Sequence, residues 1–219
     1  MIVEYLPGTD PQENAAREES LFRHRPFDGQ PQLLFYTNRE CVQCGRNQDP
    51  AWECDLAWCR REGIPVLRRI SGGGTVWHDP GNQNYAFLLP REMYSPERIL
   101  ALVVEALRRI GVTDARFCSR YSVWHGPWKI SGSAFALSGP AALLHGCLPF
   151  TADLSRLERA LQAPPPESRE LGRGKVASVR SPVTNIAPLC PEPELCRQEF
   201  CRQLTQLAQE ALTPPSPRL

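Results

Sequence analysis

The chain has 219 residues and a net charge of +1, with 42% hydrophobic and 22% charged residues. This fits one α/β domain, or one domain with a small appendage, and excludes a disordered chain or two large domains. A charge so near zero, with no basic run, leaves no field for a nucleic-acid partner, and no apolar stretch nears the roughly 18 residues needed to span a membrane.

In chain order, residues 14–22 read as a short amphipathic helix after a turn at 7–11, and residues 32–37 as a strand. A second apolar run at 40–45 precedes a helical stretch at 49–62 and extended chain at 64–69. Beyond a glycine-rich segment, residues 85–89 form a strand closed by Pro90. Ser95-Pro96-Glu97 opens a helix with Ile99, Leu102, Val103, Ala106, Leu107 and Ile110 on its apolar face, ended by Gly111. Strands near 115–117, 129–137 and 142–150 follow, then a helix near 154–160 and a last one over 192–212. The 22 prolines cluster at 163–166, 188–193 and 213–217, where they punctuate connections and the tail. Nine cysteines are an odd number, and residues 1–7 are too short for a signal-peptide core, so reduced thiols in a cytoplasmic protein are expected.

Four segments carry chemistry. The first is Arg68-Arg69-Ile70-Ser71-Gly72-Gly73-Gly74-Thr75-Val76-Trp77-His78-Asp79-Pro80-Gly81-Asn82. Three glycines let backbone approach a ligand, and two arginines can offset its negative charge, which suits a nucleotide phosphate or an acyl-phosphate anhydride. The spacing is neither G-x-G-x-x-G nor a Walker A loop. In the second, Trp128-Lys129-Ile130-Ser131-Gly132-Ser133-Ala134, a lysine heads an apolar, small-residue strand, where it can meet a carboxylate and a phosphate without a competing anion. The third runs from His145-Gly146-Cys147-Leu148 into Ala152-Asp153-Leu154-Ser155-Arg156-Leu157. The fourth covers residues 175–185, Lys175 to Asn185.

Taken in order, R-R-x-S-G-G-G-T-V-W-H-D-x-G-N-x-N-Y, K-I-S-G-S-A, H-G-x-L with A-D-L-S-R-L, and K-x-x-S-V-R-S-x-V-T-N resemble lipoate-protein ligase A, of the biotin/lipoate ligase superfamily, over about residues 10–188. The segment Cys41 to Gln48 is similar to the family's run ending in Gly-Arg-Asn-Gln, and Asn14 with Glu18 resembles its first helix. The resemblance implies an α/β (α+β) domain with a mixed, mainly antiparallel sheet flanked by helices, over residues 1–188, followed by a helix and Pro-rich tail at 189–219. It implies that Arg69, Gly74, Thr75, Val76 and Trp77 contact ATP and lipoyl-adenylate, and that Lys129 is catalytic. Ser71, Gly72, Gly73, Asn82, Ser131 and His145 would line the same pocket, with the dithiolane in an apolar tunnel. ATP, Mg2+ and lipoate are the implied cofactor and substrates, and a lipoyl-domain protein the implied acceptor.

Two departures stand out. About 34 residues follow Asn185, too few for the family's small C-terminal domain, so a separate accessory subunit is a possible requirement. Arg120-Tyr121-Ser122 also stands where the family shows an Asn-Asp pair. Two alternatives remain open: an acyltransferase using Cys118 or Cys147 as thioester nucleophile, and a zinc-stabilised module built on Cys41, Cys44, Cys54 and Cys59.

Overall fold

Alternation along one central strand organises the molecule: Tyr85, Phe87 and Leu89 point to one side, Ala86 and Leu88 to the other, and all are buried. The structure, a computed structural model, describes residues 1–24, 30–162 and 175–212. The elements are β1 (Ile2–Tyr5), α1 (Pro11–His24), β2 (Gln32–Tyr36), β3 (Cys41–Cys44), α2 (Pro50–Glu53), α3 (Leu56–Arg61), β4 (Val66–Arg68) and β5 (Val76–His78). They continue with β6 (Asn82–Pro90), α4 (Pro96–Arg109), β7 (Arg116–Phe117), β8 (Ser122–His125), β9 (Trp128–Ser138), β10 (Ala141–Pro149), α5 (Leu154–Ala160) and α6 (Cys196–Leu212). The proline clusters at 163–166 and 213–217 lie outside the described residues.

Seven strands form one sheet in the order β1-β2-β6-β10-β9-β8-β7, antiparallel except for β1 with β2. Helices α4 and α6 cover one face, where Ile99, Val103, Leu107, Phe200 and Leu204 meet Phe35, Phe87 and Leu144. On the other face α1 supplies Phe22 against Leu34, Leu88 and Leu143. A smaller sheet, β4-β3-β5, packs its Val42, Cys44 and Trp77 against Trp58 and Cys59 of α3 and Ala160 of α5. The mixed, mainly antiparallel architecture flanked by helices is the one expected.

The differences are local. Residues 49–62 form two short helices in place of one, because Asp49 and Asp55 each turn a carboxylate onto a following backbone N–H, Ala51 at 3.0 Å and Trp58 at 2.9 Å, starting the chain twice. The last helix starts at Cys196, four residues later than expected, after a turn in which Cys196 N donates to Glu192 O. Strands β1, β5 and β8 are too short for alternation to mark them. Helix α4 matches its expected start closely: Ser95 Oγ accepts from Arg98 N at 3.2 Å, and Pro96 occupies its first turn.

Helix α6 shares the main core, with the Phe200 ring 5.9 Å from that of Phe150 at the end of β10. Phe200→Ala is expected to cost about 3–5 kcal/mol of unfolding free energy by leaving a cavity there. Equilibrium urea denaturation checks this; a loss below about 1 kcal/mol would mean that α6 contributes little to the cooperative core.

Candidate active site

A cleft of about 450 Å³ opens between the two sheets. Its walls come from β5 (Val76), β6 (Asn82), β9 (Lys129, Ser131), β10 (Cys147) and the segment around Ser178. A smaller recess of about 100 Å³ extends inward and shares Lys129, Cys147 and Thr75 with the cleft.

Lys129 reaches the cleft because β9 is irregular. Ser131 pairs with Val123 and Lys129 with the next residue, Trp124, so Ile130 is an extra residue, a β-bulge. Ile130 turns into the α4/α6 core, fully buried, while Lys129 joins Gly132 on the cleft side, its Nζ 3.3 Å from where a Gly132 Cβ would stand. Its backbone is held from the other side by the fourth segment, with Lys129 N donating to Pro182 O at 2.8 Å. Burial pushes the Lys129 ammonium below its ordinary pKa of 10.5, and the Arg69 cation adds to this; the groups that favour its charge are Cys147 and Cys118, with no carboxylate among them. It is a poised cation facing an open cleft.

The glycine segment is built as a braced loop. Arg69 donates from Nε to Ser71 Oγ (3.0 Å), from Nη1 to Gln43 O (2.8 Å), and from Nη2 to Gly72 O (2.7 Å) and Gly74 O (2.6 Å). Arg68 donates to the carbonyls of Gly45, Arg46 and Gln48. The two arginines, expected to offset a ligand's charge, thus hold backbone carbonyls, although Arg69 still lines the recess. Gly73 has φ +82°, and a Cβ on Gly45 would stand 2.0 Å from Gly73 O, so loop and turn touch backbone to backbone.

Gln48 and Ser178 lock that contact. Gln48 Oε1 accepts from Gly45 N (3.0 Å) and Thr75 Oγ1 (2.7 Å), its Nε2 donates to Ser178 Oγ (2.9 Å), and Ser178 Oγ accepts from Thr75 N (2.9 Å). Beneath the loop runs a buried chain. Ser71 Oγ lies 2.6 Å from His145 Nε2, His145 Nδ1 is 2.8 Å from Glu18 Oε1, and Tyr36 OH donates to Glu18 Oε2 at 3.1 Å. Burial, reinforced by the neighbouring Glu18 carboxylate, raises the Tyr36 pKa well above its ordinary value, so the phenol remains a donor. With the imidazole proton on Nδ1, every member of the chain is satisfied.

Of the residues expected at the site, Lys129, Thr75, Val76, Trp77, Asn82 and Ser131 line the cleft, and Arg69, Gly74 and His145 line the recess. Ser71 and Gly72 are absent from the lining and are engaged with Arg69 or His145, and Gly73 is exposed, with its carbonyl against Gly45. The Trp77 indole is largely in the small-sheet core, its N–H on Asp79 Oδ2 at 2.9 Å. Asp79 also accepts from Gly81 N and Asp153 N, joining the loop's exit to α5. Gln48, Ser178 and Glu18 are structural members that a motif read for ligand contacts passes over, although all three stand in segments that carried the resemblance. The recess is lined by Gln43, Tyr36, His78 and Asn84 together with Val76, Ala134 and Val179. Burial, then the charge of Arg69, pushes His78 down to about 3, so it is a neutral ring, with Asn38 Nδ2 at 3.0 Å from its Nδ1.

The two alternatives fare poorly. Burial holds the Cys147 thiol above its ordinary value, and Cys118 is absent from the described lining of cleft and recess. No group of three or more His, Cys, Asp or Glu among the described residues could hold a metal; Cys44, Cys54 and Cys59 are packed with Trp58 and Trp77, and burial pushes the Cys41 thiol up to about 12.

A braced glycine loop and a half-buried lysine thus face the same cleft and recess. The lipoyl protein ligase A/B catalytic domain family matches residues 10–208, and the chain belongs to it. A Bdellovibrio bacteriovorus protein named lipoate-protein ligase A is 36% identical over 186 residues, 83% of this chain and 53% of that one. A Schizosaccharomyces pombe protein provisionally given the same name is 38% identical over 174 residues, 78% of this chain and 45% of that one. The chain thus spans only about half the length of these relatives. Among solved structures, a bipartite lipoate protein ligase of an archaeal lipoylation system from Thermoplasma acidophilum has a TM-score of 0.75 at 26% identity, covering 95% of this chain and 82% of that one. A lipoate-protein ligase A bound with ATP has a TM-score of 0.77 at 24% identity, covering 95% and 86%, and shares the fold.

Gly45→Ala tests the backbone contact. The added methyl must displace the Gly73 carbonyl, and an overpacking cost of about 1–3 kcal/mol is expected together with loss of the loop's shape. Thermal unfolding and a crystal structure of the variant check it; unchanged stability with an unmoved loop would refute the contact.

Proposed function

We propose that this chain is the catalytic domain of a lipoate-protein ligase, which joins lipoate to a specific lysine of a lipoyl-domain protein through lipoyl-AMP. The observation that carries this reading is Lys129, a half-buried cation with no carboxylate partner among the described residues, facing a cleft and a recess beside the braced glycine loop. The lipoate carboxylate attacks the α-phosphorus of ATP and pyrophosphate leaves. The acceptor amine then attacks the mixed anhydride, AMP leaves, and an amide forms. In both steps negative charge grows on oxygens of the acyl-phosphate linkage, and a fixed ammonium in a site of low dielectric stabilises it more than it stabilises the separated reactants. No covalent enzyme intermediate is needed, so Cys147 and Cys118 have no nucleophilic task. Arg69, Gly74, Thr75, Val76, Trp77, Asn82, Ser131 and His145 shape the pocket around that linkage; Ser71 and Gly72 tie the loop to Arg69 and His145, and Gly73 supplies its turn.

Mg2+ accompanies the nucleotide in this reading. It keeps most of its waters and needs only one or two carboxylates besides phosphate oxygens, and we assign no step to a metal held by the protein alone. The bipartite relative motivates a second element: a separate accessory subunit that completes adenylation. The reduced cysteines suit a cytoplasmic setting, and no described helix is long and apolar enough to cross a membrane.

Mass spectrometry of an apo lipoyl domain, incubated with the chain and lipoate plus ATP or with synthetic lipoyl-adenylate, tests the reading. A lipoyl mass gain with ATP means a self-sufficient ligase; gain with the adenylate alone means that activation needs the accessory subunit. No gain in either arm refutes the proposal. Lys129→Ala is expected to lower transfer from lipoyl-adenylate by about 100-fold or more while leaving the fold intact, and near-normal transfer would remove Lys129 from its role.

The pH dependence follows from the ammonium being the active form. The ammonium's contribution to transfer is fully present below the Lys129 pKa and is lost as pH rises through it, burial placing that loss below 10.5, superimposed on the rise with pH that the neutral acceptor amine brings. Single-turnover transfer from lipoyl-adenylate against pH should show the falling limb, and Lys129→Arg, whose charge persists, should lack it. A limb retained in that variant would assign the titration to another group.

A further inference from the structure

Asn84 is 1% exposed, and neither its Nδ2 nor its Oδ1 has a hydrogen-bond partner among the described residues. A buried amide with both ends unpaired is rare because each lost hydrogen bond is costly, so such a group calls for an occupant. Asn84 lines the inner recess. On the sheet it pairs with Cys147 of β10, and Cys147 pairs with Gly132 of β9, beside which the Lys129 ammonium lies. Two strand spacings of about 4.8 Å separate Asn84 from Gly132, roughly 10 Å in all.

That distance matches an acyl chain. An ammonium–carboxylate contact takes up about 3 Å, and the five extended carbon–carbon bonds from carboxyl carbon to ring, each about 1.5 Å long and advancing about 1.25 Å along the chain axis, roughly 6 Å more. A carboxylate held at Lys129 therefore brings its far end to Asn84. We infer that Asn84 is a specificity-determining residue whose amide meets the sulfur-bearing end of lipoate and disfavours the plain alkyl end of octanoate. A dithiolane sulfur is a weak acceptor for Nδ2–H, whereas a terminal methyl would seal the amide from water and offer it nothing. The neutral His78 ring in the same recess adds polarity without a buried charge that an uncharged ligand ring could not compensate. This inference rests on lipoate being the substrate.

Isothermal titration of the full chain with lipoic acid and, separately, octanoic acid tests it without requiring adenylation or an acceptor. Wild type should bind lipoic acid about tenfold more tightly than octanoic acid, and Asn84→Leu should bring the ratio to within about twofold. Asn84→Ala, which leaves the recess larger and apolar, should also lower the ratio and decides the matter if the leucine variant does not fold. Equal affinities in wild type, or an unchanged ratio in the folded variants, overturn the role of Asn84 and leave the proposed ligase standing. Binding of neither acid overturns both.

Discussion

The site depends on a buried guanidinium that is neutralised by carbonyl dipoles. Arg69 ties Gln43 of the small sheet to Gly72 and Gly74 of the glycine loop, and through Ser71 it engages His145 on the large sheet and Glu18 on α1. Burial lowers its pKa from the ordinary 12.5, yet an arginine stays charged, so its donors must remain occupied. Its removal would strand three carbonyls in the wall of the recess. A loop of three successive glycines has little intrinsic preference for one shape, and this set of hydrogen bonds imposes one.

Arginine and lysine divide the work by geometry. A planar fork of five donors suits several fixed carbonyls, whereas a compact ammonium on a flexible stem suits an anion whose charge moves during reaction. The bulge at Ile130 aims the lysine, and the bridge to Val183 fixes its backbone from the far side. Positioning and charge, with no nucleophile, are what this arrangement offers chemistry.

Much of this was legible in the sequence where the cause is local. Helix α4 shows its serine cap, its proline and its terminal glycine in consecutive letters, and β6 and β10 are apolar runs long enough to be read directly. The two-helix break at Asp55 is not legible, because an aspartate among helix formers reads equally well as an exposed side chain. The site itself divides in the same way. Lys129 and the glycine loop lie in contiguous motifs, but the bonds that shape them join residues far apart, Gln48 to Ser178 across 130 positions and Glu18 to His145 across 127. The two arginines read as ligand contacts in the sequence because a motif records residue type and is silent about which acceptor each donor meets. Asn84 was passed over for a related reason: its lack of a partner is a property of burial in three dimensions.

The two faces of the large sheet differ in mutational tolerance. Against α4 and α6 the contacts are apolar and non-directional, so Leu, Ile, Met and Val can exchange there wherever total volume is kept, and drift among homologues should accumulate on that side. The opposite face carries Asn82, Asn84, His145 and Cys147 in adjoining rows, bonded by direction or exposed to the cavities. Substitutions there must preserve donor and acceptor pattern as well as size. One strand, β6, thus evolves under two codes that alternate along its length, permissive at Phe87 and Leu89 and restrictive at Asn82 and Asn84.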